Sequence, residues 1–441
     1  MADVRRIALR LLDGWERDDT YLNLALNSPA TATLSREERG FLTALLYGTV
    51  ERKITLDYLI GRLAARSELD PGTRNILRLG LYQLFWMEIP PHAAVDLTVS
   101  LASSRGERGF VNGVLRAALR QCKSPDGTLS LPLPPRERGL ARYLSVAYSF
   151  PPELVRHFLD LLGGEETERL LTAFNRESPL TLAVNTLKIS REALAARFEE
   201  AGIEARPTKY SSVGLTLPAA PPVTTLPGFA EGLFFVQDEG AQLAAAILAP
   251  APGSTVVDVC ACPGGKSFAA AIGMGDKGRV YSFDLHDSKL PLVSSGAERL
   301  GLTSISVACR DGLDPDPALL GKCDRVICDA PCSGLGVLGK KPDLRYRALD
   351  RAQELPALQS SLLSASAGYL APGGRLLYST CTLNPKENEE VVAFFLAKSP
   401  SFRRVAFSVG GLDAPTGELT LYPERHGTDG FYYALIERTR N

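Results

Sequence analysis

Between residues 246 and 441 the chain repeats one local pattern: a short β-branched run, a loop of small or acidic residues, then a helical stretch. The runs are Thr255–Cys260, Arg279–Asp284, Ser304–Cys309, Arg325–Asp329 and Arg375–Thr380. Short strands alternating with helices predict a parallel, doubly wound α/β sheet. In such a sheet the loops leaving the carboxyl ends of neighbouring strands gather at one edge, where ligands bind. Three of these loops carry chemistry: Cys260-Ala-Cys-Pro-Gly-Gly-Lys266, Asp329-Ala-Pro-Cys-Ser-Gly334 and Tyr378-Ser-Thr-Cys-Thr382.

The rest of the chain follows other rhythms. Residues 1–123 read as helices, with Val4, Ile7, Ala8, Leu11, Leu12 and Trp15 at helical spacing. Ser35 and Glu38 form a capping box ahead of Phe41, Leu42, Leu45 and Leu46. Arg105, Arg108, Arg116, Arg120 and Lys123 make a basic stretch opposed only by Glu107. Residues 124–175 read as a linker and helical connector. Residues 176–245 read as a small α+β module, with strands at Thr181–Leu187, Ile203–Tyr210, Val213–Leu217 and Leu233–Val236 and a helix at Arg191–Ala201. There is no internal repeat.

Composition narrows the function classes. A chain of 441 residues with 45% hydrophobic and 22% charged residues is an ordinary globular protein of several domains. No apolar run approaches the ~20 residues of a membrane span. Arg10 and Asp13 interrupt any signal-peptide core. Apart from Cys122 the cysteines crowd into the C-terminal part, unlike the framework of a secreted scaffold, so a reduced, cytoplasmic setting is expected. A net charge of −1 means that a polyanion partner would need local basic patches.

The glycine loop excludes two common nucleotide sites. Gly265-Lys266-Ser267 ends like a phosphate-binding loop, but Cys260 stands where its first glycine is required. Gly273-Met-Gly-Asp-Lys-Gly278 matches a dinucleotide fingerprint, yet it follows a helix and precedes a strand, the reverse of the required order. What remains is an acid, Asp258, near a strand end, then a small-residue loop entering a helix, then Asp284 ending the next strand and Asp311 after the third. Free N–H groups at the helix start can hold a carboxylate. Asp284 can accept ribose hydroxyls, and Asp311 can reach an adenine amine. Each acid alone could be a helix cap, but three at successive strand exits point to S-adenosylmethionine.

Cys309, Cys323 and Cys328 read as structural cysteines of buried strands. Cys260-x-Cys262 and the spacing through Cys332 miss the usual zinc pattern, so no metal is expected. Cys332 and Cys381 instead sit in loops beyond strands. Carbon 5 of cytosine is a poor nucleophile, and a thiolate adding at carbon 6 makes it enamine-like. An acid at ring N3 eases the addition, and a base must then remove the carbon 5 proton. Asp329 suits the N3 position, and the two thiols suit addition and elimination, in either assignment.

In these three loops the chain resembles the RNA cytosine-5 methyltransferases, in particular the bacterial 16S ribosomal RNA enzymes of the RsmB (Sun/Fmu) type, and the likeness extends over essentially the whole chain. The resemblance implies that Cys381 is the nucleophile and Cys332 assists release. It places the cofactor against Cys260, Ala261, Cys262, Pro263, Gly264, Gly265, Lys266, Asp284, Asp311 and Asp329. Cys262 departs from the family's usual alanine. The tail Arg425-His-Gly-Thr-Asp-Gly-Phe431 resembles the family's final active-site strand. Leu77–Leu84, Pro91–Val95 and Gly109–Arg116 resemble a NusB-like RNA-binding domain, within which His92 reads as a structural residue. The basic residues Arg105, Arg108, Arg116, Arg120 and Lys123 then become phosphate contacts. The implied fold is a Rossmann-like methyltransferase sheet preceded by an all-α domain and the small module. The implied partner is 16S ribosomal RNA, free or in an early small-subunit precursor, bound by a monomer. Two alternatives stand beside it. One is the same chemistry on transfer RNA. The other is a non-catalytic RNA-binding factor, which would be expected to have lost Cys381 or Asp329.

Overall fold

The computed structural model describes residues 2–18, 22–26, 28–64 and 68–440. The chain divides into two units, Met1–Asn175 with Lys341–Tyr346, and Arg176–Lys340 with Arg347–Asn441. The first unit is helical: α1 (Ala2–Asp18), α2 (Leu22–Leu26), α3 (Arg36–Glu51), α4 (Lys53–Leu63), α5 (Pro71–Trp86), α6 (Pro91–Val99), α7 (Arg105–Gln121), α8 (Leu140–Tyr148), α9 (Pro152–Leu162) and α10 (Gly164–Phe174). Helix α3 begins with the capping box, Glu38 N–H donating to Ser35 Oγ at 3.2 Å and Ser35 N–H to Glu38 Oε2 at 3.0 Å. Val4, Ala8 and Leu12 of α1, Leu42 and Leu46 of α3, and Leu77 and Leu81 of α5 share one core. Each such Val or Leu side chain contributes roughly 1.5–3 kcal/mol by leaving water.

The stretch expected as a connector is built onto this unit. Thr55 Oγ1 of α4 donates to the Val146 carbonyl of α8 at 2.5 Å, and Ile54 N–H donates to Ser149 Oγ at 3.1 Å. Residues 341–346 also belong here. The Arg345 guanidinium lies 3.9 Å from the Phe150 ring centroid and donates to Asn175 Oδ1 at 2.9 Å, while Tyr346 Oη donates to the Val50 carbonyl at 2.8 Å.

The second unit opens with β1 (Leu180–Val184), α11 (Arg191–Glu200), β2 (Arg206–Pro207), β3 (Gly214–Leu217) and β4 (Phe234–Val236). These strands form an antiparallel sheet in the order β2-β3-β1-β4. The strand expected over Ile203–Tyr210 shrinks to two exposed residues. Pro207 has no N–H to give, and exposed residues gain nothing by extending an edge ladder.

The large sheet comprises β5 (Thr255–Asp258), β6 (Arg279–Asp284), β7 (Ile305–Cys309), β8 (Cys323–Asp329), β9 (Leu370–Thr380), β10 (Phe402–Arg404), β13 (Glu418–Leu421) and β14 (Phe431–Arg438); β11 (Phe407–Val409) and β12 (Leu412–Ala414) form a separate hairpin. Strands β9-β8-β5-β6-β7 are parallel, as the alternating pattern predicts. The sheet continues beyond β9 through antiparallel β14, which the strand–helix rhythm did not announce. Helices α12 (Glu239–Leu248), α13 (Gly265–Gly273) and α14 (Leu290–Leu300) cover one face, and α15 (Ala348–Ala367) and α16 (Glu389–Lys398) the other. Successive strand residues point to opposite faces. Val256, Leu377 and Tyr433 therefore enter one core, and Val257, Leu376 and Tyr432 the other. No helix among the described residues is long and apolar enough to cross a membrane.

Candidate functional site

The order β9-β8-β5-β6 makes the strands feeding the three loops neighbours, so all three loops lie at one edge. The glycine loop turns sharply into α13. Gly264 has φ +111°, and a Cβ there would stand 2.3 Å from the Phe268 ring; at Gly265 one would stand 3.0 Å from Gln237 Nε2. First-turn N–H groups of α13 lack intrahelical partners and offer themselves at this edge.

Acids stand at the exits of β5, β6 and β7. At the end of β6, Asp284 accepts from the N–H groups of Cys262 at 3.2 Å and His286 at 3.0 Å. Asp311, past β7, is exposed and accepts from Leu313 N–H at 2.9 Å. Asp258 is buried. Its Oδ2 accepts from Ser267 Oγ at 2.7 Å, while Oδ1 has no hydrogen-bond partner among the described residues. Burial, reinforced by the charge of Asp329, pushes Asp258 up to about 7. Burial also pushes the Cys260 thiol well up, and with the Asp284 charge raises Cys262 to about 12. These thiols stay protonated and serve as small loop residues.

Beyond β8 and β9 the two other thiols meet, Cys332 Sγ lying 3.3 Å from Cys381 Sγ. The contact with Cys381, together with burial, raises Cys332 well above the usual thiol range. Asp329 holds Lys266 Nζ at 2.5 Å on Oδ2 and Ser379 Oγ at 2.7 Å on Oδ1. Burial works against the Lys266 charge, but Asp329, Asp258 and Cys381 outweigh it and raise the ammonium above the ordinary lysine value. A fixed cation thus stands within electrostatic reach of Cys381, also 5.1 Å from the Phe431 ring centroid. It favours a thiolate there.

Apart from the tail noted by resemblance, sequence reading did not single out the residues that lock these loops. Gly336 N–H donates to the Cys381 carbonyl at 2.9 Å, and Gly430 N–H to the Gly336 carbonyl at 2.8 Å. A Cβ on Gly430 would stand 2.7 Å from Gly336 Cα. The tail Arg425–Phe431 is therefore a tight packing segment, with strand β14 starting only at Phe431. Within it Asp429 is raised to about 6 by burial and accepts from Lys340 Nζ at 2.7 Å; Lys340 also binds Asp238. Glu387 is fully buried between the two cysteine loops. Its signal was a carboxylate inside Asn384-Pro-Lys-Glu-Asn388, directly after Cys381.

Other expectations need correction. Cys309 is exposed, because β7 is the sheet's edge strand; its thiol lies 3.5 Å from the Leu285 carbonyl. His92 is exposed in the first turn of α6 and is no core residue. Arg105, Arg108, Arg116 and Arg120, with Lys123 just beyond the helix, are all exposed on the α7 stretch of the first unit. Among the described residues no His, Cys, Asp and Glu side chains cluster as a metal site would require.

The chain resembles known proteins along its length. A sequence model of the 16S rRNA methyltransferase RsmB/F family matches residues 245–437. Models of the NusB family and of the RsmF/B-like ferredoxin-like domain match residues 2–120 and 150–224. The chain is 38% identical to a probable ribosomal RNA small subunit methyltransferase B of Synechocystis, over 99% of this chain and 100% of that protein. It is 37% identical to the ribosomal RNA small subunit methyltransferase B of Pseudomonas putida, over 93% and 94%. The crystal structure of PH0851 matches with a TM-score of 0.79 at 27% identity, over 99% of this chain and 98% of that one.

Proposed function

Since the chain belongs to the RsmB/F family of 16S rRNA methyltransferases, which use S-adenosylmethionine, we propose that it methylates carbon 5 of a cytosine in small-subunit ribosomal RNA through a covalent cysteine–cytosine intermediate. The 3.3 Å pair of Cys332 and Cys381 beside the Lys266–Asp329 ion pair carries this reading. Bound S-adenosylmethionine supplies the electrophilic methyl group. The residues fit it: small side chains at Cys260–Gly265 clear the loop, and Asp284 and Asp311 present carboxylates at successive strand exits.

Cys381 forms a bond from sulfur to ring carbon 6. The displaced electron pair moves toward N3, the position suited to Asp329, and the Lys266–Asp329 pair supplies the proton for N3. Carbon 5, now enamine-like, takes the methyl group. Release requires the carbon 5 proton to pass to a base such as a water molecule, its electron pair forming the ring double bond as the carbon–sulfur pair returns to Cys381 and the N3 proton returns to the Asp329–Lys266 pair. Cys332, at 3.3 Å from that sulfur, assists this step. The base must be unstacked to present carbon 6, so an unpaired loop is the expected context. The exposed arginines of α7 supply phosphate contacts.

Trapping the intermediate tests the division of labour. Cys332→Ala mixed with ribosomal RNA and S-adenosylmethionine should give a slow-migrating protein–RNA band on a denaturing gel, and Cys381→Ala should give none. The reverse pattern would exchange the two roles, and no band with any variant would remove the covalent step.

A further inference from the structure

Glu387 is fully buried where the loops of the two thiols meet, and both its oxygens are occupied. Oε2 accepts from Ser333 N–H at 2.8 Å and from Gln359 Nε2 of α15 at 3.0 Å. Oε1 accepts from Ser333 Oγ at 2.5 Å and from Asn384 Nδ2 at 3.1 Å. Ser333 follows Cys332 directly. Asn384 and Thr382 belong to the loop of Cys381, and Ser333 Oγ lies 2.8 Å from Thr382 Oγ1. One carboxylate therefore joins the backbone beside one thiol to the side chains beside the other.

An acceptor-only group is what this place requires. Ser333 N–H can only donate, and Gln359 Nε2 also donates to the Pro331 carbonyl at 2.9 Å, so turning that amide over would strand the carbonyl. A glutamine at 387 would press an NH2 group against donors. Hydrogen bonds to a buried carboxylate are among the strong ones, and breaking them is costly. The backbone is tied from the same place. Tyr378 Oη donates to the Glu387 carbonyl at 2.7 Å, and Asn388 Nδ2 to the Thr382 carbonyl at 3.0 Å.

We infer that Glu387 is a positioning residue that sets the separation of Cys332 and Cys381, and thereby the step in which one thiol assists release of the other. The second half of this statement rests on the two-thiol reaction proposed above; the first half does not. Glu387 touches neither sulfur and acts through Ser333, Thr382 and Asn384.

The test uses a reading that depends on the thiols alone. Diamide removes two electrons and two protons from adjacent thiols, and the resulting Cys332–Cys381 disulfide is followed by mass spectrometry of the full-length protein. Wild type should form it readily. Glu387→Gln should form it about tenfold more slowly, while keeping its S-adenosylmethionine affinity by calorimetry, and should lose kcat on ribosomal RNA with little change in KM. If Glu387→Gln does not fold, Ser333→Ala and Asn384→Ala each remove one donor and should each slow cross-linking severalfold. Wild-type cross-linking rates in these variants would overturn the proposal. Slow cross-linking with undiminished methyl transfer would support the clamp and overturn the two-thiol reaction instead.

Discussion

Asp258 shows how a single buried carboxyl couples the cofactor loop to pH. Its one satisfied oxygen binds Ser267 Oγ, which in turn lies 2.7 Å from Ser282 Oγ, tying β5, α13 and β6 together. Raised from 3.8 to about 7 in the folded chain, the group binds a proton in the native state that it has lost in the unfolded one. Between these values the unfolded state binds fewer protons, so this contribution stabilises at low pH and is lost as pH rises through about 7. The gap corresponds to at most about 4 kcal/mol. Asp258→Asn mimics the protonated form. It should raise the thermal midpoint of the cofactor-free protein much more above pH 8 than near pH 5, because the loss begins above 3.8 and is complete only past about 7. Equal shifts at both pH values would contradict the assignment.

At the scale of elements, the parallel strands and their exits were legible because β-branched runs and small loops are local signals. Asp258, Lys266, Asp284, Asp329, Cys332 and Cys381 could be named from those loops, and the sheet order brings them to one edge. The place of β14 in the sheet was not legible from local pattern, since antiparallel pairing with β9 joins residues 52 to 62 positions apart, and only the resemblance of the tail Arg425–Phe431 pointed to a strand there. Glu387 and Gly336 were missed for the same reason, because their importance lies in what the fold sets against them. Cys309 misled because a strand's sequence does not say that it lies at an edge. Helix α7 is a local signal with a testable consequence. Its arginines are exposed while Val111, Val114, Leu115 and Ala118 face the core. Replacing Arg105, Arg108, Arg116 and Arg120 together with glutamine should therefore spare folding. The slope of log affinity for ribosomal RNA against log salt should fall by about three, as each lost phosphate contact removes ~0.7. An unchanged slope would place the RNA elsewhere.

For the molecule as a whole, the first unit is not a simple N-terminal segment. Its helices run to Phe174, and it includes Lys341–Tyr346, whose chain neighbours Lys340 and Arg347 belong to the second unit. Arg345 is buried, and burial pulls its guanidinium down to about 10. It donates to the carbonyls of Glu51 at 3.3 Å and Ser149 at 3.4 Å. Arg345→Met should lower stability by about 2–4 kcal/mol, by stranding these buried acceptors. A thermal midpoint equal to wild type would contradict that. The chemistry as a whole is tested most directly by bisulfite sequencing of ribosomal RNA treated with the purified protein and S-adenosylmethionine, because methylation at carbon 5 protects cytosine from conversion. The account predicts a protected cytosine in small-subunit RNA with wild type and none with Cys381→Ala. Methyl incorporation into that RNA with every cytosine still converted would contradict it.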